Sequence, residues 1–595
     1  MGLSHSSIYH SSHVRSVTTS GPVIVEPFSE IYPRLDIYDF YGNEKYEPQV
    51  DLLIQSYQAL YDRPYDDMRS FYQVAGIHGL PYTPYDGVTG GDKELETGRF
   101  GGYCHHGDVL FPPWHRPYML LIESLLVEEA KKIASQYPDN EKEKYVEAAK
   151  QLRHPFWDWA DIKAIEGVPK IFTSPEIEIN TPNGKKNPLK NFTLPVDLSY
   201  PLEKGQNPTD KPNYNVPNIT YNIYTPAGYP TVRHPNSNYE DQTDLLNSNM
   251  SVYVPTVFRP GMYQMFHIGN FLRFSHHGVN SDDTQAGNFF SGHPPPTNPA
   301  GMSHFASMET THDDFHLVWG GPGGHMGYVD LATFDPIFFF HHSNMDRLLA
   351  RWQGIYPDSW VPKTIEPNGS YTDELYKAID ENTDLTPFRK TKTEFWKSSD
   401  VTDIEKLGYT YPEVEKFKGQ DPQTIKAYVL DLYKPDPHYG RRFFVKLTIK
   451  AGKLDGPYCI RVFIDLPDAN AQTEVTSPHF AGLVSMWSST KNHVHDNTFV
   501  YGTVDITAAM ERLNIRTQVH DPLHEVNTTT GQLGTLWLFN VEKDINIVPV
   551  LLNGEGVSPD EAGVTMIEVF TFDHDNVDPN FLDENSGKEY GSKKF

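Results

Sequence analysis

Neutral imidazole is the commonest metal ligand among side chains, and spacing decides which histidines can share an ion. The chain carries 26 histidines in 595 residues, so only clusters are informative. In Met308-Glu309-Thr310-Thr311-His312-Asp313-Asp314-Phe315-His316, the two histidines stand at i and i+4. On a helix they lie one above the other, and both rings reach one ion. Zinc HExxH helices share this spacing, but no glutamate follows His312 here. Taken alone, the pair also fits two solvated histidines.

A second segment, Phe334-Asp335-Pro336-Ile337-Phe338-Phe339-Phe340-His341-His342-Ser343-Asn344-Met345-Asp346-Arg347, places two histidines after an apolar run. Burial is expected there, and buried imidazoles need partners. His342 and Asp346 are again i, i+4, so the carboxylate is in reach of a ligand histidine or its neighbour. His341 lies about 100° round the helix and is the less suited ligand. Gly76-Ile77-His78-Gly79-Leu80-Pro81-Tyr82 sets His78 at a helix end or loop. His106 precedes Gly107, and His115 lies just before a helix expected to open at Pro117. Six imidazoles without a thiolate quartet favour copper over structural zinc. Spacing alone gives a metal site, with two ions.

The elements that must position these residues change character along the chain. Residues 1–35 are polar and then Pro-punctuated, an extension. Helix-period apolar residues recur over 49–62, 117–137 and 141–153, and Asp335-Pro336 reads as an N-cap followed by a first-turn proline. Residues 172–303 read as a long loop region, dense in Pro, Asn and Tyr. From 441 the period becomes two: Phe443, Val445, Leu447 and Ile449 face one way and Lys446, Thr448 and Lys450 the other. Similar runs at 458–466, 498–506, 534–541 and 564–572 imply a β-sandwich-like domain. The divisions expected are 1–35, 36–440, 441–575 and a polar tail, 576–595.

Composition narrows the partners. A formal charge of −28, from 50 basic and 78 acidic residues, argues against nucleic acid and anionic membrane surfaces. Cys104 and Cys459 are the only cysteines, so no disulfide framework exists. The first residues lack the apolar core of a signal peptide, and no apolar run is long enough to span a bilayer. The expectation is an intracellular protein, and the five glycosylation sequons (Asn191, Asn218, Asn249, Asn368, Asn527) then read as chance. Met1-Gly2-Leu3-Ser4-His5-Ser6 formally matches a myristoylation pattern, a short and weak one.

Two longer runs resemble a known family. His106-x4-Phe111-Pro112-Pro113-Trp114-His115-Arg116-x2-Met119-x3-Glu123 resembles the first copper signature of the tyrosinases, and Asp335-Pro336-x-Phe338-Phe339-x2-His342-x3-Asp346 the second. Leu407-Gly408-Tyr409-Thr410-Tyr411-Pro412 is similar to the tyrosine motif that closes the family's core. The resemblance implies a mainly α core, a four-helix bundle with long loops holding a dicopper site, followed by an all-β sandwich-like C-terminal domain. It implies one copper on His78, His106 and His115 and another on His312, His316 and His342. Cys104 matches the cysteine joined to a ligand histidine, here His106, by a thioether. Glu309 matches an acid that holds a water near the second copper and helps deprotonate phenols. Phe338 matches the bulky residue over the entrance to the copper pair. Asp313 stands where enzymes with strong monophenolase activity often carry Asn, a departure that bears on monophenol hydroxylation.

The activity implied is O2-dependent oxidation of phenols or catechols to o-quinones, made latent by a removable C-terminal domain. Its blocking side chain is expected on a loop within 481–489, Trp487 or else Phe480. Arg441-Arg442 is a candidate cleavage point, and His493 and His495 read as surface histidines rather than a copper-loading pair. A hemocyanin-like O2 carrier shares the same ligands, as do catechol and o-aminophenol oxidases. A dinuclear hydrolase would mix carboxylates among its ligands.

Overall fold

A computed structural model describes residues 21–90, 102–181, 187–198, 227–279, 306–366, 369–374, 377–434, 441–454, 456–487, 499–515 and 544–573. Short strands at 215–216, 219–220 and 588–594 are described as backbone. Among these residues no helix is long and apolar enough to cross a membrane.

Helices α1 (Glu47–Tyr61), α2 (Phe111–Ala134) and α3 (Asp139–Gln151) pack against one another. α1 turns Leu52, Leu53, Tyr57 and Leu60 inward, whereas α3 buries only Tyr145, Ala148 and Ala149 on one narrow stripe. α2 begins six residues before the expected Pro117, because Pro112 and Pro113 sit in its first turn, where a missing N–H costs nothing. His115 is therefore inside the helix rather than ahead of it.

The stretch expected as loop contains α4 (Thr243–Tyr253) and α5 (Arg259–Met265). Their Asn, Ser and Pro content masked a helical stripe of Leu246, Met250 and Tyr253. α6 (Met308–Gly320) is buried at every position, and α7 (Ile337–Ile355) at nearly every one. A helix covered on all sides lies in the interior of its domain. Ser307 caps α6 by accepting from Thr310 N at 3.1 Å, and Asp335 accepts from Ile337 N at 3.1 Å ahead of α7. α8 (Pro422–Tyr433) packs on α7 and ends the helical part.

Two sheets follow. In the first, β2 (Arg441–Lys450) is flanked by β5 (Phe499–Asp505) and β7 (Val564–Asp573), all antiparallel. One edge of this sheet is β1 (Gly278–Val279), contributed by the helical part, and the other is β8 (Lys588–Lys594). The second sheet runs β4 (Phe480–Met486), β3 (Tyr458–Ile464), β6 (Ile545–Leu551). Val445, Leu447 and Ile449 meet Ile460, Val462 and Val484 between the sheets, as the period-two reading requires. The far face of the second sheet, with Leu483, Val548 and Val550, joins the core of the helical domain. β4 is consequently buried at all seven positions.

Three expectations are corrected here. The polar tail includes β8, an edge strand held by backbone pairing, for which an apolar pattern is unnecessary. The segment read as a loop is strand β4 up to Met486, with Trp487 immediately after it. Arg442 lies at the start of β2, is buried, and ion-pairs with Asp505, so its side chain is not displayed to a protease. The run 534–541, His493 and His495 lie outside the described residues.

Candidate metal centre

Six histidines converge in two groups of three. His78 Nε2 and His106 Nε2 lie 3.3 Å apart, with His115 completing the first group. In the second, His312 Nε2 is 3.0 Å from His316 Nε2 and 3.2 Å from His342 Nε2. The groups face each other: the His115 and His342 rings stack at 4.3 Å, and His106 and His312 are 5.6 Å apart. All six are buried.

The outer ring nitrogens fix the tautomers. His78 Nδ1 lies 3.1 Å from Val329 O, His115 Nδ1 2.8 Å from Phe111 O, and His316 Nδ1 3.0 Å from Met326 O. A carbonyl only accepts, so each Nδ1 carries the proton and each Nε2 presents a lone pair inward. Carboxylates do the same for two others: Glu309 Oε1 is 3.1 Å from His106 Nδ1, and Asp313 Oδ1 is 2.9 Å from His312 Nδ1. His342 is oriented by packing, between His115 and Phe338, whose ring stacks on it at 4.0 Å.

Lone pairs facing one another at 3.0–3.3 Å repel unless a cation lies between them. Burial first and neighbouring imidazoles second hold His78, His115, His312, His316 and His342 well below the ordinary histidine range, and burial holds His106 at about 3. Neutral rings with inward lone pairs are what a pair of metal ions needs, and the all-nitrogen donor set suits copper.

His341 illustrates the contrast. It is close enough to His312, His316 and His342 to join them, yet its Nδ1 accepts from Trp159 Nε1 at 3.0 Å. An indole N–H only donates, so the His341 proton sits on Nε2 and no lone pair remains for a metal. Its ring is a packing surface, stacked on Phe315 at 4.4 Å.

Local geometry explains the convergence. Gly102 passes so near His78 that a Cβ there would stand 1.7 Å from His78 O, which lets the two first-group loops lie together. Gly320 is equally constrained: a Cβ would stand 2.1 Å from Gly327 N. The glycine-rich turn after α6 thereby folds back and delivers Met326 O to His316.

Asp346 does not touch His342. Its two oxygens are saturated by Arg34 and Arg116, at 2.9 and 2.5 Å, and by the hydroxyls of Tyr409 and Tyr411, each at 2.7 Å. It ties four segments together, one of them through Arg116, the neighbour of His115. Glu309, besides its contact with His106, accepts from Gly107 N at 2.7 Å, so one of its oxygens holds a loop. Cys104 is fully buried with Sγ 3.1 Å from His78 O. His105 points away from the centre, with Nδ1 3.0 Å from Asp108 and 3.1 Å from Glu366.

Trp487 lies across both groups. Its ring stacks on His316 at 3.7 Å and 21°, with His312 at 5.1 Å and His106 at 5.2 Å, and its Nε1 donates to Gly327 O at 3.1 Å. Phe480 instead packs between Tyr253 and Phe463, at 5.9 and 5.7 Å, at the far end of β4. Sequence reasoning missed His277, whose Nδ1 lies 3.4 Å from Asp313 Oδ2; as one of 26 histidines, outside any motif, it gave no signal.

Known proteins resemble this chain in sequence and in fold. The family model described as the common central domain of tyrosinase matches residues 68–355. Polyphenol oxidase 4 of Agaricus bisporus is 33% identical over 431 residues, 71% of this chain and 61% of that protein. A tyrosinase of Podospora anserina is 33% identical over 442 residues, 70% of this chain and 68% of its own length. Among solved structures, a crystal containing latent and active mushroom tyrosinase superimposes with a TM-score of 0.72 at 25% identity, covering 95% of this chain and 98% of that one. A point mutant of Aspergillus oryzae pro-tyrosinase shares the fold with a TM-score of 0.68 at 22% identity, over 97% of this chain and 98% of the other. Sequence likeness through the helical part and structural likeness through the sheets as well make this chain a member of the tyrosinase family.

Proposed function

We propose that the protein is a type 3 copper oxidase that uses O2 to convert o-diphenols to o-quinones and is made latent by its C-terminal domain. The observation that carries this is the set of inward Nε2 lone pairs in two facing groups of three. Each group would hold one copper ion, and copper supplies the electron exchange with O2.

The chain's own residues do the rest. Carbonyls and carboxylates lock five rings in the ligating tautomer, and Phe338 keeps the floor of the site apolar. Glu309 is placed to take the proton of a phenol: burial raises its pKa and makes it a stronger base than a solvated carboxylate. Asp313 shares its carboxylate with His312, so a substrate hydroxyl competes with an existing bond. This arrangement favours diphenol oxidation over monophenol hydroxylation. Cys104, two residues from His106, is the partner for a thioether to that ring.

Latency rests on Trp487, which occupies the face of His316 where a planar phenolic ring would stack. Copper content of the purified chain and O2 consumption with catechol, before and after limited proteolysis, test the reading. Two copper ions per chain with quinone formation that rises on cleavage supports it. Reversible O2 binding with no turnover after loss of the sheets points to a carrier instead.

A further inference from the structure

The two carboxylates beside the metal centre each use one oxygen on a ligand ring. Glu309 Oε1 holds His106 of the first group, and Asp313 Oδ1 holds His312 of the second. Their second oxygens turn towards the same residue. His277 Nδ1 lies 3.4 Å from Asp313 Oδ2 and 3.9 Å from Glu309 Oε2, and its backbone N–H donates to Glu309 Oε2 at 3.4 Å. Among the described residues neither Asp313 Oδ2 nor His277 Nδ1 has a partner in hydrogen-bond geometry, so their 3.4 Å approach is a polar contact between two buried atoms rather than a hydrogen bond. His277 therefore lies between the two acids that orient one ligand from each half of the centre, its backbone bonded to Glu309 and its ring beside Asp313.

What holds His277 there is not local. Helix 271–275 ends two residues earlier, and the chain then enters β1, which pairs with β5: Gly278 opposite Val500, Val279 opposite Phe499. The C-terminal sheet thus adds a strand taken from the helical part, and the residue next to that strand reaches the metal centre. Strand addition fixes a backbone through its main-chain hydrogen bonds, whatever side chains it carries.

We propose that His277 is a positioning residue that braces Glu309 and Asp313, and that the C-terminal domain holds it in place through β1. This rests on the oxidase reading. The domain then acts on the centre twice, covering it with Trp487 and tying down the brace.

The test uses the full chain carrying Trp487→Ala, so that the site is open while the sheets remain. In that parent, His277→Ala and His277→Gln are compared with His277→Asn, because an Asn amide nitrogen falls near the Nδ1 position and a Gln nitrogen near Nε2. Loss of copper to a chelator should quicken about tenfold or more in the Ala and Gln variants, the usual cost of removing an outer partner of a ligand. Catechol turnover should fall with little change in KM, and Asn should restore both. Hydrogen exchange on the metal-free parent should show the amides of 278–279 protected.

An Ala variant that keeps copper as well as the parent overturns the brace, as does an Asn variant no better than Ala. Free exchange at 278–279 overturns the tether. A parent that takes up no copper overturns the oxidase reading itself, which separates the two failures.

Discussion

Trp487 and His316 make a contact whose removal has a sign. Replacing Trp487 by Ala deletes the stacked ring and the hydrogen bond to Gly327 while leaving β4 in place. Turnover of catechol by the uncleaved chain should then rise about tenfold, which corresponds to about 1.4 kcal/mol of closing bias. An unchanged rate would mean that another group covers the centre. Cys104 gives a second expectation at this scale: with O2 as the two-electron oxidant, the copper-loaded chain should come to weigh less than its sequence by the two hydrogens lost from the thiol and the ring C–H on forming the thioether. Cys104→Ser should show the full mass.

At the scale of the element, α7 carries chemistry on one face and an ion-pair cluster on another. Glu413 meets Arg347 and Arg351, and Arg347 also reaches Asp158 at 2.9 Å, all buried. Burial raises the Glu413 pKa, but the two guanidinium groups outweigh it and bring it down to about 2. Because the folded value lies below the ordinary 4.5, this group stabilises the fold above pH 4.5, and the contribution is lost as pH falls through about 2. Glu413→Gln should cost about 3–5 kcal/mol at neutral pH, since it leaves two buried cations short of a partner. The deficit should shrink between pH 4.5 and 2 in denaturant titrations. The turn after α6 is sensitive for a different reason. Gly320→Ala sets a methyl 2.1 Å from Gly327 N, and should cost about 1–3 kcal/mol together with copper occupancy, because Met326 O would be pushed off His316.

For the whole molecule, the two parts are not independent bodies joined by a linker. The second sheet buries one face on the helical core, Ser485 N donates to Asp314 on α6 at 3.2 Å, and β1 crosses the seam in the other direction. Metal binding should therefore be felt throughout. Copper bound to the folded chain and not to the unfolded one stabilises by mass action, by about 2.7 kcal/mol at a free concentration about one hundred times Kd. Chelation should lower the melting temperature of the helical part and of the sheets together. Separate transitions, with only one of them sensitive to chelation, would contradict a continuous core.

Much of this was legible in the amino-acid order because it is local. The i, i+4 spacing of His312 and His316 is a helical fact, as is the phase that separates His341 from His342, and alternation identified β2, β3, β5 and β7. Other features have no local signature. Asp346 stands at ligand spacing from His342, yet Arg34, Arg116, Tyr409 and Tyr411 claim it from distant parts of the chain. β4 looked like a loop because its burial comes from a second domain on one face, and Phe480 and Trp487 could not be told apart until the strand's ends were placed. Local spacing was enough to nominate the residues that could bind metal. Which nitrogens turn inward, what covers them and that His277 lies between two acids emerged from the folded chain alone, because each depends on partners far away along the sequence.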